Sequence, residues 1–381
     1  MVEPLVKVPK IKGWCPGALR PMESGDGWLV RIRAPGGVLT PVQAAGVARA
    51  SLAYGNGVID LSSRANLQLR GVRIAGHGAL IDDLRALGLV DDDLAAEAAR
   101  NVIVTPFGAD PGVVAALMGA VAQLPALPGK FGFAVDTGAA RVLADAPADI
   151  RLERDAAGGV ILRPDGYAYG RAVGDLQRDV RALVHWFLET GGAPEGRGRM
   201  AAHVAHIALP PGFDVMPAVA VAQPLPGLRA GGALVGFAFG QMQADTLGRL
   251  AWLGHVMRIT PWRMVLLVGA DALPDGADLI TTPDDPLLRV TACSGAPACA
   301  QGLGPTRALA RMLAPDVATH LHVSGCAKGC AHAGPAAVTV VATGHGYNLI
   351  RGGKAADPPA MTDLSPALIA QALKVRHAPP V

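Results

Sequence analysis

Four of the five cysteines in this 381-residue chain fall in one stretch. Cys293-Ser294-Gly295-Ala296-Pro297-Ala298-Cys299 is a C-x5-C pair, and Cys326-Ala327-Lys328-Gly329-Cys330 is a C-x3-C pair, with 26 residues between them. Four thiolates on one centre hold either a structural zinc or an iron–sulfur cluster. Neither pair has the C-x2-C spacing of a zinc knuckle, and little charge lies nearby to solvate a surface zinc module. The flanking Gly, Ala, Ser and Pro residues leave room for a bulky inorganic core. The pattern points to a [4Fe–4S] cluster on Cys293, Cys299, Cys326 and Cys330. Four unrelated buried cysteines are the plainer alternative, and their clustering within 38 residues argues against it. His332 follows the last cysteine, as a ligand to a second iron, as a proton donor, or as a local hydrogen-bonding residue. Cys15, the odd thiol, sits beside Pro16 and Gly17 in a loop. It is either a free buried cysteine or a neighbour of the active centre.

Charged residues make up only 17% of the chain, so those placed in Gly/Ser turns are informative. Arg64, Asn66, Gln68 and Arg70 recur at every second position, which on a strand puts all four on one face. Arg31 and Arg33 alternate with apolar residues in Trp28–Arg33 and extend such a face. Guanidiniums and amides in a row suit carboxylates, because each Arg makes bidentate charge-assisted bonds. A solvated sheet face is the competing explanation. Arg100 reads equally as a cation at a helix C-terminus, and Lys130 alone as a surface lysine.

The elements that must carry these groups are short and Gly/Pro-punctuated. Thr40-Pro41 starts a helix that runs to about Tyr54 and stops at Gly55. Strands are expected at 28–33, 58–61 and 67–72, and a helix from about Ala79 to near Gly88. This order is the heart of a ferredoxin-like unit. It recurs with a strand at 234–239, a helix at 243–253, and strands at 256–260 and 264–269. Ser62–Gly71 aligns with Thr260–Gly269 without a gap, which reads as a duplication. A mixed segment at 95–210 has helices at 112–124 and 173–190 and strands at 131–135 and 160–163. A second, at 290–378, has a helix around 306–313, strands at 321–324, 337–342 and 347–351, a surface loop at 353–363, and a terminal helix near 366–373. His203 and His206 are read as part of a strand, where i, i+3 spacing does not chelate a metal.

The thiol motifs and the basic turns together resemble the cluster motif of sirohaem-dependent sulfite and nitrite reductases. The wording Ser324-Gly325-Cys326-Ala327-Lys328-Gly329-Cys330-Ala331-His332 is most similar to the precorrin-3B synthase branch of that superfamily. Ser62–Gln68 loosely matches its T-x-R-x-x-x-Q turn, with Ser in place of Thr. Arg100-Asn101-Val102 matches its Arg-Asn-Val, and Leu127-Pro128-Gly129-Lys130-Phe131-Gly132 matches part of Leu-Pro-Arg-Lys-Phe-Lys. In that superfamily these cations hold macrocycle carboxylates and the bound oxyanion. Gly129 and Gly132 replace two of them here, which weakens a site for a small dianion and leaves Arg64, Arg100 and Lys130 to meet a larger acid.

The resemblance implies an α+β fold: duplicated ferredoxin-like half-domains forming a pseudo-twofold sheet, with two mixed α/β domains for cluster and tetrapyrrole. The expected boundaries are 12–90 and 215–285 for the half-domains, and 91–210 and 286–378 for the α/β domains. It implies an oxidoreductase of cobalamin biosynthesis, a monooxygenase that hydroxylates precorrin-3A with dioxygen and closes a lactone. Catalysis falls to Arg64, Lys130 and His332, and substrate binding to Arg31, Arg33, Arg64, Asn66, Gln68, Arg70, Arg100 and Lys130. A mononuclear non-haem iron for oxygen activation also follows from the resemblance. A ferredoxin-dependent sirohaem sulfite or nitrite reductase is the alternative on the same fold, with Cys330 bridging to the sirohaem. An iron–sulfur electron carrier or a zinc-stabilised module is the non-enzymatic one.

Composition limits the remaining possibilities. With 51% hydrophobic residues the chain buries a large core and holds more than one domain. Gly (48) and Pro (31) imply many turns. A formal net charge of +3 is too small to imply a nucleic-acid partner by itself, and none is expected. The most apolar region, about 215–240, is interrupted by Pro217, Pro224, Pro226 and Arg229, so no membrane span is expected. No export signal is evident, so reduced thiols in the cytoplasm are expected. No G-x-G-x-x-G opens a helix after a strand. Electrons are therefore expected from NADH through an external donor protein.

Overall fold

The helix over Pro41–Tyr54 begins on a capping box. Thr40 Oγ1 accepts from Gln43 N (3.2 Å), and Gln43 Oε1 accepts from Thr40 N (2.9 Å). Two orphan donors are thereby satisfied, and Pro41 at the first helical position loses nothing. The computed structural model describes residues 15–374. The stretch from Lys10 to Trp14 and the expected end of the last segment at 375–378 lie outside the described residues.

The first segment runs β1 (Met22–Ser24), β2 (Gly27–Ile32), β3 (Val38–Leu39), α1 (Pro41–Tyr54), β4 (Val58–Leu61), β5 (Leu67–Val72) and α2 (His77–Ala86). The next holds α3 (Leu94–Ala99), β6 (Val102–Val104), α4 (Pro111–Val121), β7 (Phe133–Asp136), β8 (Ile150–Arg154), β9 (Val160–Pro164), β10 (Arg171–Ala172), α5 (Leu176–Glu189) and α6 (Met200–Val204). Then follow β11 (Gly227–Arg229), β12 (Gly232–Gly236), β13 (Gln241–Gln243), α7 (Ala244–Trp252), β14 (Met257–Ile259) and β15 (Met264–Val268). The last part holds β16 (Val290–Ala292), α8 (Arg307–Leu313), β17 (Leu321–Ser324), β18 (Ala336–Ala342), β19 (Tyr347–Gly353), β20 (Met361–Leu364) and α9 (Pro366–Lys374).

The repeat seen in the sequence is a repeat of register. Ile59 pairs with Leu69 and Leu61 with Leu67, while Met257 pairs with Leu267 and Ile259 with Val265, a constant shift of 198 in residue number. Ala65 and Arg263, also 198 apart, both take positive φ (53° and 63°) in the intervening turns. The two copies form two sheets, β1-β2-β5-β4-β13 and β11-β12-β15-β14-β3. Each copy lends one edge strand to the other's sheet: β13 pairs β4, and β3 pairs β14. The exchange covers an edge that would otherwise be an open template.

A second duplication was not visible in the sequence. β6, β7 and β8 run parallel, followed by antiparallel β9 and β10; β16, β17 and β18 run parallel, followed by antiparallel β19 and β20. Val102 pairs with Phe133 and Phe133 with Ile150, while Val290 pairs with Leu321 and Leu321 with Val338, so the copies differ by 188 throughout. The first of these sheets is covered by α5, whose Val180, Leu183, Val184 and Phe187 are buried at helical spacing. Full burial of a side chain such as Phe187 contributes about 1.5–3 kcal/mol.

By its contacts the chain divides into one unit of residues 15–22 with Leu29–Thr281 and a second of Glu23–Trp28 with residues 282–374. The expected strand at 203–209 is absent: His203 lies in α6 and meets Thr190 Oγ1 at 2.7 Å against Trp186 and Phe187. The expected loop at 353–363 is present over 354–360, with Gly353 closing β19 and Met361 opening β20. Among the described residues no helix is long and apolar enough to cross a membrane.

Candidate functional site

The two thiol pairs sit on the loops that leave the C-terminal ends of parallel strands β16 and β17. Cys293 is the first residue after β16, and its sulfur accepts a hydrogen bond from Gly325 N (3.1 Å), at the end of β17. The two loops touch through glycines. A Cβ on Gly325 would lie 3.0 Å from Gly295 Cα and 3.5 Å from Cys293 Sγ. Gly295, at φ 61°, would put a Cβ 2.7 Å from Thr306 Oγ1. Cys299 N closes a turn on Gly295 O (2.7 Å), and Thr306 Oγ1 donates to Cys293 O (2.5 Å).

Cys326 and Cys330 lie within electrostatic reach of each other and of both Cys293 and Cys299. The Cys326 thiol is pushed up mainly by burial; Cys293 and Cys299 add to this, and Lys328 and its backbone N–H oppose it. Burial also pushes up the Cys330 thiol, against Lys328 and with Cys326, Cys293 and Cys299 adding. The Cys330 residue is nonetheless exposed as a whole, whereas the other three are half-buried. Among the described residues no three Cys, His, Asp or Glu side chains gather tightly enough for a single ion. His332 Nε2 donates to Pro335 O (3.2 Å), and the ring packs edge-on against His320 and His322, with ring centroids 4.5 and 5.7 Å away. Its partners are local.

In the larger unit the cations expected to form one strand face are divided. β5 begins at Leu67, so Arg64 and Asn66 belong to the preceding turn and only Gln68 and Arg70 lie on the strand. Arg70 is buried and paired with Asp60 at 3.3 Å. Arg33 is buried against Glu97, giving a hydrogen bond to its backbone carbonyl and an ion pair at 3.9 Å. Arg100 caps α3 and pairs with Asp91 at 2.9 Å. Asn66 is buried, with its backbone N–H on Ser62 Oγ. A guanidinium already neutralised by a buried carboxylate is a poor receptor for a further acid, so the uniform basic face is corrected to a smaller group.

That group is Arg31, Gln68, Arg64 and Lys130. Arg31 donates twice to Gln68 Oε1 (3.2 and 2.7 Å). Its guanidinium is lowered to about 10, first by burial, with Arg33 and Arg64 repelling it and Cys15, a hydrogen-bond partner, opposing. Arg64 is lowered by burial and then by Arg199. Arg199 carried no signal in the sequence, since it follows Gly198 in a Gly/Arg run. Arg64 Nη2 donates to Lys130 O (2.9 Å), and its Nη1 is buried without a partner among the described residues. A Cβ on Gly132 would lie 2.7 Å from Asn101 Nδ2 and 3.1 Å from Arg64 Nη1, whereas one on Gly129 would meet nothing within 4 Å. Gly132 therefore makes room for the arginine. The Lys130 side chain is exposed.

The first α/β sheet holds buried charges that position this loop. Asp149, 0% exposed, accepts from Gly132 N (3.0 Å), Met200 N (2.8 Å) and Arg199 Nε (2.8 Å). Glu153, also fully buried, binds Arg163 (2.7 Å) and Arg141 (3.2 Å). Asp136 is pushed up to about 6, chiefly by burial, with Glu153 adding and Leu143 N, Val142 N and Arg141 opposing. Its carboxyl thus titrates above the ordinary value of 3.8. Between those values the folded chain keeps a proton that the unfolded chain has released, so stability is lost as pH rises through about 6. The loss is about 3 kcal/mol. Asp136→Asn is expected to flatten the stability change between pH 4 and 7, read by urea unfolding across that range.

Comparisons with known proteins bear on the fold and the family resemblance. Residues 20–87 match the nitrite/sulfite reductase ferredoxin-like half domain. Precorrin-3B synthase of a Sinorhizobium species is 29% identical over 397 aligned residues, covering 92% of this chain and 85% of that protein. Chloroplastic ferredoxin–nitrite reductase of Zea mays is 36% identical, but over 86 residues that cover 22% of this chain and 15% of that enzyme. The structure of the Mycobacterium tuberculosis NirA protein superposes with a TM-score of 0.61 at 18% identity, covering 92% of this chain and 80% of that one, a likeness of fold. The chain is similar to nitrite and sulfite reductases over its first ferredoxin-like half domain, and to precorrin-3B synthase along nearly its whole length.

Proposed function

We propose that this protein carries out the precorrin-3B synthase reaction: dioxygen-dependent hydroxylation of precorrin-3A at the meso carbon between rings A and D, with lactone closure by the ring A acetate. One oxygen atom enters the macrocycle and the other leaves as water, so two electrons must be supplied, from NADH through a donor protein. The observation that carries the reading is the similarity to a precorrin-3B synthase over 92% of the chain, against 22% for the nitrite reductase. Cys293, Cys299, Cys326 and Cys330 would hold a [4Fe–4S] cluster, which supplies one-electron transfer when bound. Their loops fit such a group, since glycine at 325 keeps the space beside the Cys293 sulfur free of a side chain. Arg64 Nη1, buried without a partner among the described residues, is suited to a carboxylate of a many-acid ring, with Arg31 beside it. Gly132 in place of a lysine favours that larger acid over sulfite.

The test is incubation of the purified protein with precorrin-3A, a reductant and ¹⁸O-labelled dioxygen. One labelled oxygen in the product is the expected result. A sirohaem spectrum with sulfite or nitrite reduction, and no oxygenated product, would overturn the proposal. Arg64→Ala is expected to raise KM for precorrin-3A about 10- to 100-fold, as one charge-assisted bond worth roughly 1–3 kcal/mol is lost. Lys130→Ala is expected to change KM less, because that side chain is exposed.

A further inference from the structure

The 188-residue repeat places a second pair of loops where the thiol loops stand. In the second copy, Cys293 is the first residue after β16, and Cys326 is the second after β17. In the first copy, Thr105 and Gly138 hold those positions after β6 and β7. These loops carry no thiol, yet they border a cavity of about 570 Å³. The C-terminal ends of parallel strands are where open α/β sheets bind ligands.

The walls are small: Gly108, Gly138, Ala140, Ala156 and Val219 contribute. A flat body can therefore approach the backbone closely. The two arginines at the cavity are already engaged. Arg141 binds Glu153 (3.2 Å) and Ala218 O (2.7 Å); Arg154 donates to Thr137 O (2.8 Å) and Gly158 O (2.7 Å) and lies 3.5 Å from Asp110. They act as struts, and the planar guanidinium of Arg154 is available for stacking. Asp136 differs. It is 1% exposed and lines the cavity. Its Oδ2 accepts from Leu143 N (2.6 Å), while Oδ1 is buried with no hydrogen-bond partner among the described residues. An unmatched buried acceptor calls for a donor.

We infer that this cavity is a second binding site, for a planar nitrogen heterocycle that lies against the glycine and alanine walls and donates an N–H to Asp136 Oδ1. The site is independent of the proposed oxygenation. It uses the ancestral loop positions of the first copy for an organic ring where the second copy presents thiols.

The test titrates the full-length protein, with its cluster content measured, against riboflavin, nicotinamide and adenine. Flavin fluorescence reads the first, and saturation-transfer NMR the other two. At least one probe is expected to bind with Kd below about 1 mM. Asp136→Asn keeps the acceptor for Leu143 N through its amide oxygen and turns the other position into a donor. It is expected to weaken binding at least about tenfold, a change of roughly 1.4 kcal/mol, with iron content and Tm no lower. Ala156→Trp, at an exposed wall position, is expected to block binding by filling the space. Failure of all three probes to bind would overturn the inference, as would equal binding by wild type and both variants.

Discussion

Cys330→Ala is expected to yield protein with iron and acid-labile sulfide well below the roughly four of each per chain that a cubane requires, and without the broad visible absorption of the cluster. Cys326→Ala is expected to do the same. On the proposed cluster each of the four thiols would hold a separate corner, so removing one leaves an iron without its ligand; the sulfur of Cys293 also accepts from Gly325 N (3.1 Å). Cluster binding and local folding are coupled, so the loops after β16 and β17 should become protease-sensitive in these variants. Cys15→Ala is the control. Cys15 lies beside Arg31 in the other unit and should leave iron content unchanged. Full iron in the Cys330→Ala protein would show that Cys330 is no ligand.

Asp149→Ala is expected to destabilise the larger unit by about 3–5 kcal/mol, the scale for removing one partner of a buried ion pair. Three donors converge on this fully buried carboxylate: Gly132 N, Met200 N and Arg199 Nε. Alanine would leave two backbone N–H groups and a guanidinium without an acceptor. For a unit of this size the midpoint should fall by about 10 °C, measured by calorimetry. Function should suffer as well, because the loop that Asp149 holds through Gly132 also supplies Lys130 O, the anchor of Arg64. Asp149→Asn retains one acceptor and should be intermediate. A midpoint unchanged in the alanine variant would mean that the loop is held by other contacts.

Regular elements with apolar periodicity were legible in the chain. α1 begins and ends where Thr40 and Gly55 place it, and the ferredoxin-like repeat follows the ungapped match of Ser62–Gly71 with Thr260–Gly269. β8 was not legible, although it is central to its sheet. Its alternate residues Arg151 and Glu153 look solvent-facing, yet they are 3% and 0% exposed because Asp165, Arg163 and Arg141 neutralise them from elsewhere in the chain. The second duplication was hidden for a related reason. What it preserves is strand pairing, while the loops between have diverged from thiols to Thr105 and Gly138.

Local chemistry alone therefore determined the thiol quartet, the capped helix and the presence of arginines in tight turns, since spacing and residue type act over a few positions. Only the tertiary structure decided which arginines remain available. Arg33, Arg70 and Arg100 find carboxylates on Glu97, Asp60 and Asp91, while Arg64 keeps a buried N–H with no partner among the described residues. A charge is spent or spare according to what folds against it, and that depends on the whole chain.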